Sequence, residues 1–226
     1  MKMKRVFFLL LVVSLAFGSV GCSDGAHDDG DLNNGIVSGD ENSSSGGSVS
    51  NNGNIFDNEN VSATSKKILT VYFSCTGTTK KVAGYVKTAV GGEIYEITAK
   101  KPYTQADLNY INSNSRTSIE NSDEASRPEI ASVAVENFAD YDTIFIGYPI
   151  WFGKAPKIIY TFMEKYDFSN KTIIPFCTSA SSGIGSSATN LHSLTKGNPN
   201  WDNGRRFSSN ASKTDVADWA KEVITK

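Results

Sequence analysis

Residues 74–79, called here the hydroxyl loop, have the sequence Ser-Cys-Thr-Gly-Thr-Thr and combine hydroxyl groups with a predicted helix start. Free N–H groups and the helix dipole at a helix N-terminus favour an anion, and hydroxyls add donors for phosphate oxygens. No Walker lysine follows the glycine, which argues against a nucleoside triphosphate and favours a single terminal phosphate. An ordinary capped turn is the alternative interpretation of the same residues.

Residues 148–153, the aromatic loop, have the sequence Tyr-Pro-Ile-Trp-Phe-Gly and follow an apolar run of strand length. Trp151 and Phe152 are adjacent, and neighbouring aromatic side chains do not easily point into the same core. Aromatic rings bind flat ligands through their faces. The loop therefore favours a planar ligand, with a local plug of the core as the alternative.

Residues 178–185, the serine loop, have the sequence Thr-Ser-Ala-Ser-Ser-Gly-Ile-Gly and follow another apolar run. Such a backbone is rich in hydrogen-bond donors and suits the polar edge of a ring system. Serine and glycine are also common in loops that bind nothing. The position of this loop after a buried strand, which it shares with the other two loops, favours the ligand interpretation.

The apolar pattern predicts strands that alternate with helices. Apolar, β-branched and aromatic runs predict strands over residues 68–74, 93–97, 143–147, 171–177 and 205–207. Apolar residues at helical spacing predict helices over residues 79–90, 156–165, 184–194 and 213–224. Pro156 suits the first turn of its helix, and Ser212 is a natural N-cap for the last one.

This alternation predicts a parallel sheet with helices on both faces, a three-layer α/β/α fold. Five strands in this rhythm fit the doubly wound order 2-1-3-4-5. In that order, ligands bind beyond the carboxyl ends of the strands where the order reverses. Because the hydroxyl, aromatic and serine loops follow strands 1, 3 and 4, we expect all three at one edge of the sheet.

The three loops together resemble the flavodoxin superfamily, and most closely its bacterial branch with a Trp-containing second loop. The resemblance covers residues 67–224, and its motifs are Val71–Ala83, Tyr148–Gly153, Pro175–Ser179 and Ser182–Ser186. The stretches around Asn114–Arg116 and Arg127–Pro128 resemble the insertion that this branch has after its second strand. The resemblance implies a flavodoxin-like fold, non-covalently bound FMN and electron transfer through that cofactor.

The resemblance also implies a role for each loop. The residues that match the FMN phosphate site are Ser74, Thr76, Gly77, Thr78 and Thr79. The residues that match the segment beside the isoalloxazine are Pro149, Ile150, Trp151, Phe152 and Gly153, with Trp151 as the stacking residue. The residues that match the contact with the pyrimidine edge are Thr178, Ser179, Ser182 and Gly183. Cys75 departs from the residues that are more common at its position.

Two further departures from the family pattern bear on the reaction. Standard flavodoxins place a second aromatic side chain in the third loop, but the serine loop has none, which leaves one flavin face less covered. Standard flavodoxins are strongly acidic near the flavin, whereas residues 65–226 contain nineteen Lys/Arg and sixteen Asp/Glu, a net charge of about +3. Weaker repulsion of an anionic reduced flavin brings its two one-electron reduction potentials closer together. Both departures favour a two-electron reductase of a small acceptor such as a quinone.

Two other functions fit the same residues, because a fold alone does not establish a function. The domain would serve as a one-electron carrier for a partner protein, or as a non-catalytic flavin-binding surface module. The sequence contains no recognisable nicotinamide site, so the electron donor and acceptor are not identified. Its small, scattered charge excess argues against nucleic-acid binding. It also shows no cluster of residues at metal-ligand spacing and no serine-hydrolase motif.

The first 22 residues have the pattern of a bacterial lipoprotein signal peptide. Lys2, Lys4 and Arg5 precede an apolar run over residues 6–17, which is short for a membrane span of roughly 20 residues. Gly21-Cys22 resembles a lipobox, in which the cysteine is the lipid attachment site, although Ser19 replaces the usual Leu. This pattern predicts export and a lipid anchor in the bacterial cell envelope, periplasmic or surface-exposed. An ordinary cleaved signal and an uncleaved anchor helix are the alternatives.

Residues 23–64 have the composition of a disordered linker. They are mostly Gly, Ser, Asn and Asp and include eight acidic residues but no Lys or Arg. Such a segment has too few large apolar side chains to offset the entropy of ordering. Residues 65–226 have the usual size of one α/β domain, in which residues 98–138 form a polar insertion with few predicted elements.

Cys75 and Cys177 are predicted to be two buried thiols and not a disulfide. They lie at the ends of strands 1 and 4, and strand 3 separates those strands in the predicted order. At roughly 4.8 Å per strand, their Cα atoms would be about 10 Å apart. A disulfide needs a separation of less than about 7 Å.

Overall fold

The computed structural model describes residues 66–226. The predicted signal peptide with Cys22 and the predicted linker of residues 23–64 lie outside that range. The strands of the described part are β1 (Ile68–Tyr72), β2 (Glu93–Glu96), β3 (Thr143–Pro149), β4 (Thr172–Thr178), β5 (Asn200–Trp201) and β6 (Arg205–Phe207). Its α-helices are α1 (Thr78–Val90), α2 (Arg116–Ser122), α3 (Lys157–Lys165), α4 (Ser186–Thr189) and α5 (Lys213–Ile224).

The strands form one parallel sheet with the order β2-β1-β3-β4-β5, and β6 also pairs with β4. This confirms the doubly wound order. Tyr72 lies opposite Gly147, and Gly147 lies opposite Phe176, so β1, β3 and β4 end at one edge of the sheet. The hydroxyl, aromatic and serine loops therefore leave the sheet side by side.

Helices cover both faces of the sheet and bury two separate apolar clusters. On one face, Leu69 and Val71 of β1 belong to a cluster that includes apolar side chains of α3. On the other face, Ile68 and Tyr72 belong to a cluster with α1 and α5. Because both of its faces are covered, every residue of β1 is buried, as is typical of parallel sheets.

Gly147 allows β3 and β4 to pack closely near the edge of the sheet where the three loops begin. A Cβ atom at this position would lie 2.1 Å from the Cζ atom of Phe176, so any larger residue would have to displace that buried ring. Overpacking of this kind forces backbone shifts in a dense core. The glycine therefore keeps the ends of the two strands in register beneath the loops.

The structure differs from the prediction at one helix and contains one strand that was not predicted. The helix predicted over residues 184–194 is instead the short α4 followed by a 3₁₀ turn, His192–Leu194. Its hydroxyls bond local carbonyls, as when Ser187 Oγ donates to the Ile184 carbonyl, and such bonds compete with helix extension. The fifth strand position is occupied by two short strands: the predicted one, β6, and β5, which was not predicted.

The insertion of residues 98–138 is more structured than its sequence predicted. Ala99 and Ile130 form an antiparallel bridge, so both ends of the insertion lie beside the edge of the sheet. In α2, Arg116 Nε donates to Glu120 Oε1 at 2.6 Å, and Arg116 Nη1 donates to the Lys101 carbonyl at 2.6 Å. These bonds fix α2 against the first residues of the insertion. None of the helices between residues 66 and 226 has the length and apolar character needed to cross a membrane.

Candidate functional site

A cavity of about 360 Å³ lies where the hydroxyl and aromatic loops leave the sheet. The hydroxyl loop contributes the predicted site residues Ser74, Thr76 and Thr79 to its lining. The aromatic loop contributes Pro149, Ile150, Trp151 and Phe152. A cavity of this size, with apolar walls and a few hydroxyls on one side, is typical of a small-molecule site.

The hydroxyl loop presents a helix N-terminus to this cavity. Gly77 is the N-cap of α1 with a φ of 86°, a left-handed conformation that favours glycine. Its N–H donates to Ser74 Oγ at 3.1 Å, which closes the loop. No side chain caps α1, so the N–H groups of its first turn are available to an anion. Thr78 is the first residue of the helix, and its side chain is half-buried.

The two lysines that follow the hydroxyl loop are engaged elsewhere. Lys80 Nζ bonds Glu96 Oε2 at 3.0 Å, and Lys81 Nζ donates to the Ser209 carbonyl at 2.6 Å. An anion in this loop would therefore be bound by backbone N–H groups, hydroxyls and the helix dipole. Such a neutral set of donors suits one phosphate group better than a triphosphate.

A buried hydrogen bond joins the hydroxyl loop to the serine loop. The hydroxyls of Thr79 and Thr178 lie 2.8 Å apart, and both residues are buried. The bond therefore holds the first turn of α1 and the last residue of β4 together beside the cavity. Neither threonine can be replaced by an apolar residue without leaving a buried hydroxyl unpaired.

Arg206 holds the serine loop in place. Its Nη2 donates to the Ser179 carbonyl at 2.8 Å and also bonds the Ala180 carbonyl, and its Nε donates to Ser179 Oγ at 3.1 Å. Ser179 Oγ in turn bonds the Ser182 carbonyl. Ser182 and Gly183 are exposed. The four predicted serine-loop residues adjoin the site through Thr178 and are not among those lining the cavity.

The aromatic loop is a tight turn with backbone strain. Trp151 and Lys154 exchange two backbone hydrogen bonds, of 3.0 and 2.9 Å, and the residues between them, Phe152 and Gly153, have φ angles of 49° and 75°. Two-residue turns of this kind prefer Asn-Gly, and a bulky residue with positive φ costs roughly 1–2 kcal/mol. Phe152 is nonetheless 42% exposed at the cavity. Backbone strain of this kind is common at functional sites, which makes the exposed ring a candidate for contact with a ligand.

The insertion fixes the position of Trp151. The indole packs edge-on against Phe73 and Tyr103, with ring centres 5.6 and 5.2 Å away. Tyr103 donates to Glu120 Oε2 at 2.7 Å, and the guanidinium carbon of Arg116 lies 3.8 Å from the centre of the Tyr103 ring. Burial, together with the Glu120 carboxylate, raises the pKa of Tyr103, so its phenol stays protonated and donates this bond at neutral pH.

The insertion also contributes directly to the lining of the cavity, through Leu108, Tyr110 and Thr117. Sequence reasoning missed these residues and Arg206. The insertion shows no strong periodicity, so its sequence gives no signal for them. Arg206 could have been found from strand order, because β6 pairs with β4 and places Arg206 opposite Cys177, next to the serine loop.

A model of the flavodoxin family matches residues 67–223. The chain belongs to the flavodoxin family. A flavoprotein structure from Bacteroides eggerthii is 44% identical, with a TM-score of 0.65, and covers 71% of this chain and 99% of its own. One from Bacteroides uniformis is 47% identical, with a TM-score of 0.65, and covers 69% of this chain and 98% of its own.

A more distant flavoprotein structure, from Lactobacillus acidophilus, was determined in complex with FMN. It is 25% identical to this chain, with a TM-score of 0.50, and covers 69% of this chain and 99% of its own. No curated protein matches the chain significantly. The expected flavodoxin-like α/β fold is thus confirmed by both the sheet order and the family match.

The cysteines of this flavodoxin-family domain are free, as predicted, but only one is fully buried. Cys177 is buried, whereas Cys75 is half-buried and lines the cavity. Burial raises the pKa of Cys75 to about 11 and that of Cys177 to about 12, so both stay protonated at neutral pH. Protonated thiols are weak nucleophiles and weak metal ligands. Residues 66–226 contain no group of three His, Cys, Asp or Glu arranged to hold a metal ion.

The Thr79–Thr178 pair allows a test of how the loops are coupled. We expect Thr79→Val and Thr178→Val each to lower the free energy of unfolding by about 1–2 kcal/mol, because each leaves a buried hydroxyl unpaired. The double variant should lose clearly less than the sum, since no hydroxyl remains unpaired. Urea unfolding of the three variants and the wild type measures this coupling. Additivity within about 0.5 kcal/mol would show that the bond does not join the loops.

Proposed function

We propose that this protein binds FMN without a covalent bond and transfers electrons through it as a two-electron reductase of a small acceptor such as a quinone. The observation that carries the proposal is the cavity, which joins a helix N-terminus with neutral donors to an aromatic wall. One end suits a single phosphate, and the other suits a planar ring. FMN has both groups in one molecule.

In this proposal each loop binds a different part of FMN. Ser74, Thr76, Thr78 and Thr79, with the first N–H groups of α1, would bind the phosphate. Trp151 and Phe152 would lie against the isoalloxazine, which supplies the electron-accepting ring when FMN is bound. The backbone of the serine loop, held by Arg206, would donate to the polar edge of that ring. The FMN complex of the Lactobacillus acidophilus relative supports FMN as the ligand.

Charge and openness favour two-electron chemistry. The serine loop contains no aromatic residue, so an acceptor can approach the ring from that side. The Arg206 guanidinium, which contacts two carbonyls of that loop, adds positive charge near the expected pyrimidine edge. Positive charge there stabilises the negative charge that the ring would gain on reduction. The net charge of about +3 of residues 65–226 acts in the same direction.

A one-electron carrier for a partner protein is the second candidate. The exposed side chains of Tyr110 and Phe152 at the cavity favour it, because apolar groups around a redox site suit transient protein contacts. Stopped-flow mixing with NADH or NADPH alone separates the two functions. A carrier needs a separate reductase to become reduced, whereas a reductase accepts electrons directly from its donor.

Selective loss of phosphate binding tests the FMN assignment. We expect the double variant Thr76→Val/Thr78→Val to raise the Kd for FMN at least tenfold, because each hydroxyl bond to a charged group contributes about 1.5–3 kcal/mol. The Kd for riboflavin, which lacks the phosphate, should change less than about twofold. Thr88→Val, at the far end of α1, is the matched control. Equal losses for both ligands would contradict the proposed phosphate site.

The number of electrons per step tests the reaction type. In an anaerobic titration of the FMN-loaded protein with dithionite, we expect the oxidised absorbance to disappear in one two-electron transition. The physical reason is the weak electrostatic opposition to a second electron. A stable plateau after one electron per FMN would identify a carrier and overturn the reductase proposal. The titration needs no knowledge of the natural acceptor.

We also propose that the protein is exported and anchored through a lipid on Cys22 in a bacterial cell envelope. The basic residues, the apolar run and Gly21-Cys22 support this proposal. The domain would then act at a membrane surface, close to apolar acceptors.

A cysteine substitution tests the anchor. With the full chain expressed in a bacterium that lipidates its own exported proteins, we expect wild type to sediment with membranes and Cys22→Ser to lose this association, because the thiol is the attachment point. Cys75→Ser is the control and should remain in the membrane fraction. Mass spectrometry of the N-terminal peptide provides a second measurement. Membrane association of Cys22→Ser equal to that of wild type would contradict a lipid anchor.

A further inference from the structure

We propose that Tyr110 of the insertion contacts the flavin ring of bound FMN, beside Trp151 and Phe152. This inference rests on the proposed FMN binding and adds to it a residue outside the three loops. It assigns the insertion of residues 98–138 a direct part in the cofactor site.

The position of Tyr110 is the first support. It lines the same cavity as Trp151 and Phe152, although it lies about forty residues before them in the sequence. None of the residues that line this cavity is charged, so the walls suit an apolar ring. The aromatic ring of Tyr110 is the type of group that packs on such a ring.

The exposure of Tyr110 is the second support. Its side chain is 74% exposed, so it packs on little of the protein itself. Scattered exposed apolar residues are common and need no explanation on their own. The neighbouring Ile111 is of that kind, because it is 82% exposed and is not part of the cavity lining. Tyr110 differs from it by facing the site.

The backbone around Tyr110 is held by hydrogen bonds, which is the third support. Both the N–H and the hydroxyl of Thr117 donate to the Asp107 carbonyl, at 3.1 and 2.7 Å. Thr104 donates its N–H and its hydroxyl to Asp107 Oδ2, each at 2.8 Å. Residues 104–117 are therefore closed into a defined loop at the cavity. The backbone that carries Tyr110 therefore needs little further ordering when the side chain contacts a ligand.

Three substitutions at neighbouring positions test the inference. We expect Tyr110→Ala to raise the Kd for both FMN and riboflavin about tenfold, because the lost contact is with the ring and not with the phosphate. Tyr110→Phe should bind both ligands within about twofold of wild type. Ile111→Ala is the matched control and should behave like wild type. Titration of the apoprotein with each flavin, followed by flavin fluorescence, gives these constants.

Access to the bound ring provides a second measurement. Iodide should quench the residual fluorescence of bound flavin more strongly in Tyr110→Ala than in Ile111→Ala, because removal of the phenol uncovers the ring. If both alanine variants match wild type in Kd and in quenching, Tyr110 does not contact the flavin and the inference is wrong. If the wild-type protein binds no FMN, the proposed function is wrong, and the inference that rests on it is wrong as well. Because both side chains are exposed, these truncations leave the core intact.

Discussion

The parallel register of β1, β3 and β4 is the constraint on which the whole site depends. Tyr72, Gly147 and Phe176 are neighbours across these strands, so three loops that are far apart in sequence begin within about 10 Å of one another. The register is itself fixed by packing, because only glycine at position 147 leaves space for the Phe176 ring. A shift by one residue would exchange the side chains that pack into the two apolar clusters on opposite faces of the sheet. The core thus determines the geometry of the cofactor site.

Two polar contacts fix the positions of the loops relative to the sheet. The Thr79–Thr178 hydrogen bond joins the helix start at the hydroxyl loop to the end of β4. On the other side, Tyr103 links Trp151 to the Glu120 and Arg116 side chains of α2. Each contact is partly or fully buried, where a satisfied polar group specifies one arrangement and an unsatisfied one is costly. The insertion therefore supports the indole from behind, and its conformation bears directly on the site.

The sequence predicted the strand order, the buried strands 1, 3 and 4, and the three loops that follow them, because strong local periodicity marks these strands. Two of the loops line the cavity, and the serine loop adjoins it through Thr178. The sequence missed α2, Leu108 and Tyr110, since a short polar insertion takes its structure from long-range contacts such as Arg116 with Lys101. It also predicted a long helix at residues 184–194, where serine hydroxyls bond the backbone instead. The role of Arg206 follows from the pairing of β6 with β4, which the predicted strand order contains although local periodicity does not.

Three features at the cavity cost free energy in the free protein, and this arrangement favours the ligand-bound state. Phe152 has a left-handed backbone conformation, Tyr110 is exposed, and the first turn of α1 has no side-chain cap. Each of these is unfavourable in the free protein. FMN bound as proposed would give both rings a contact and the free N–H groups an acceptor, and binding to the folded state alone stabilises that state. Cofactor affinity and domain stability are therefore linked through the same residues.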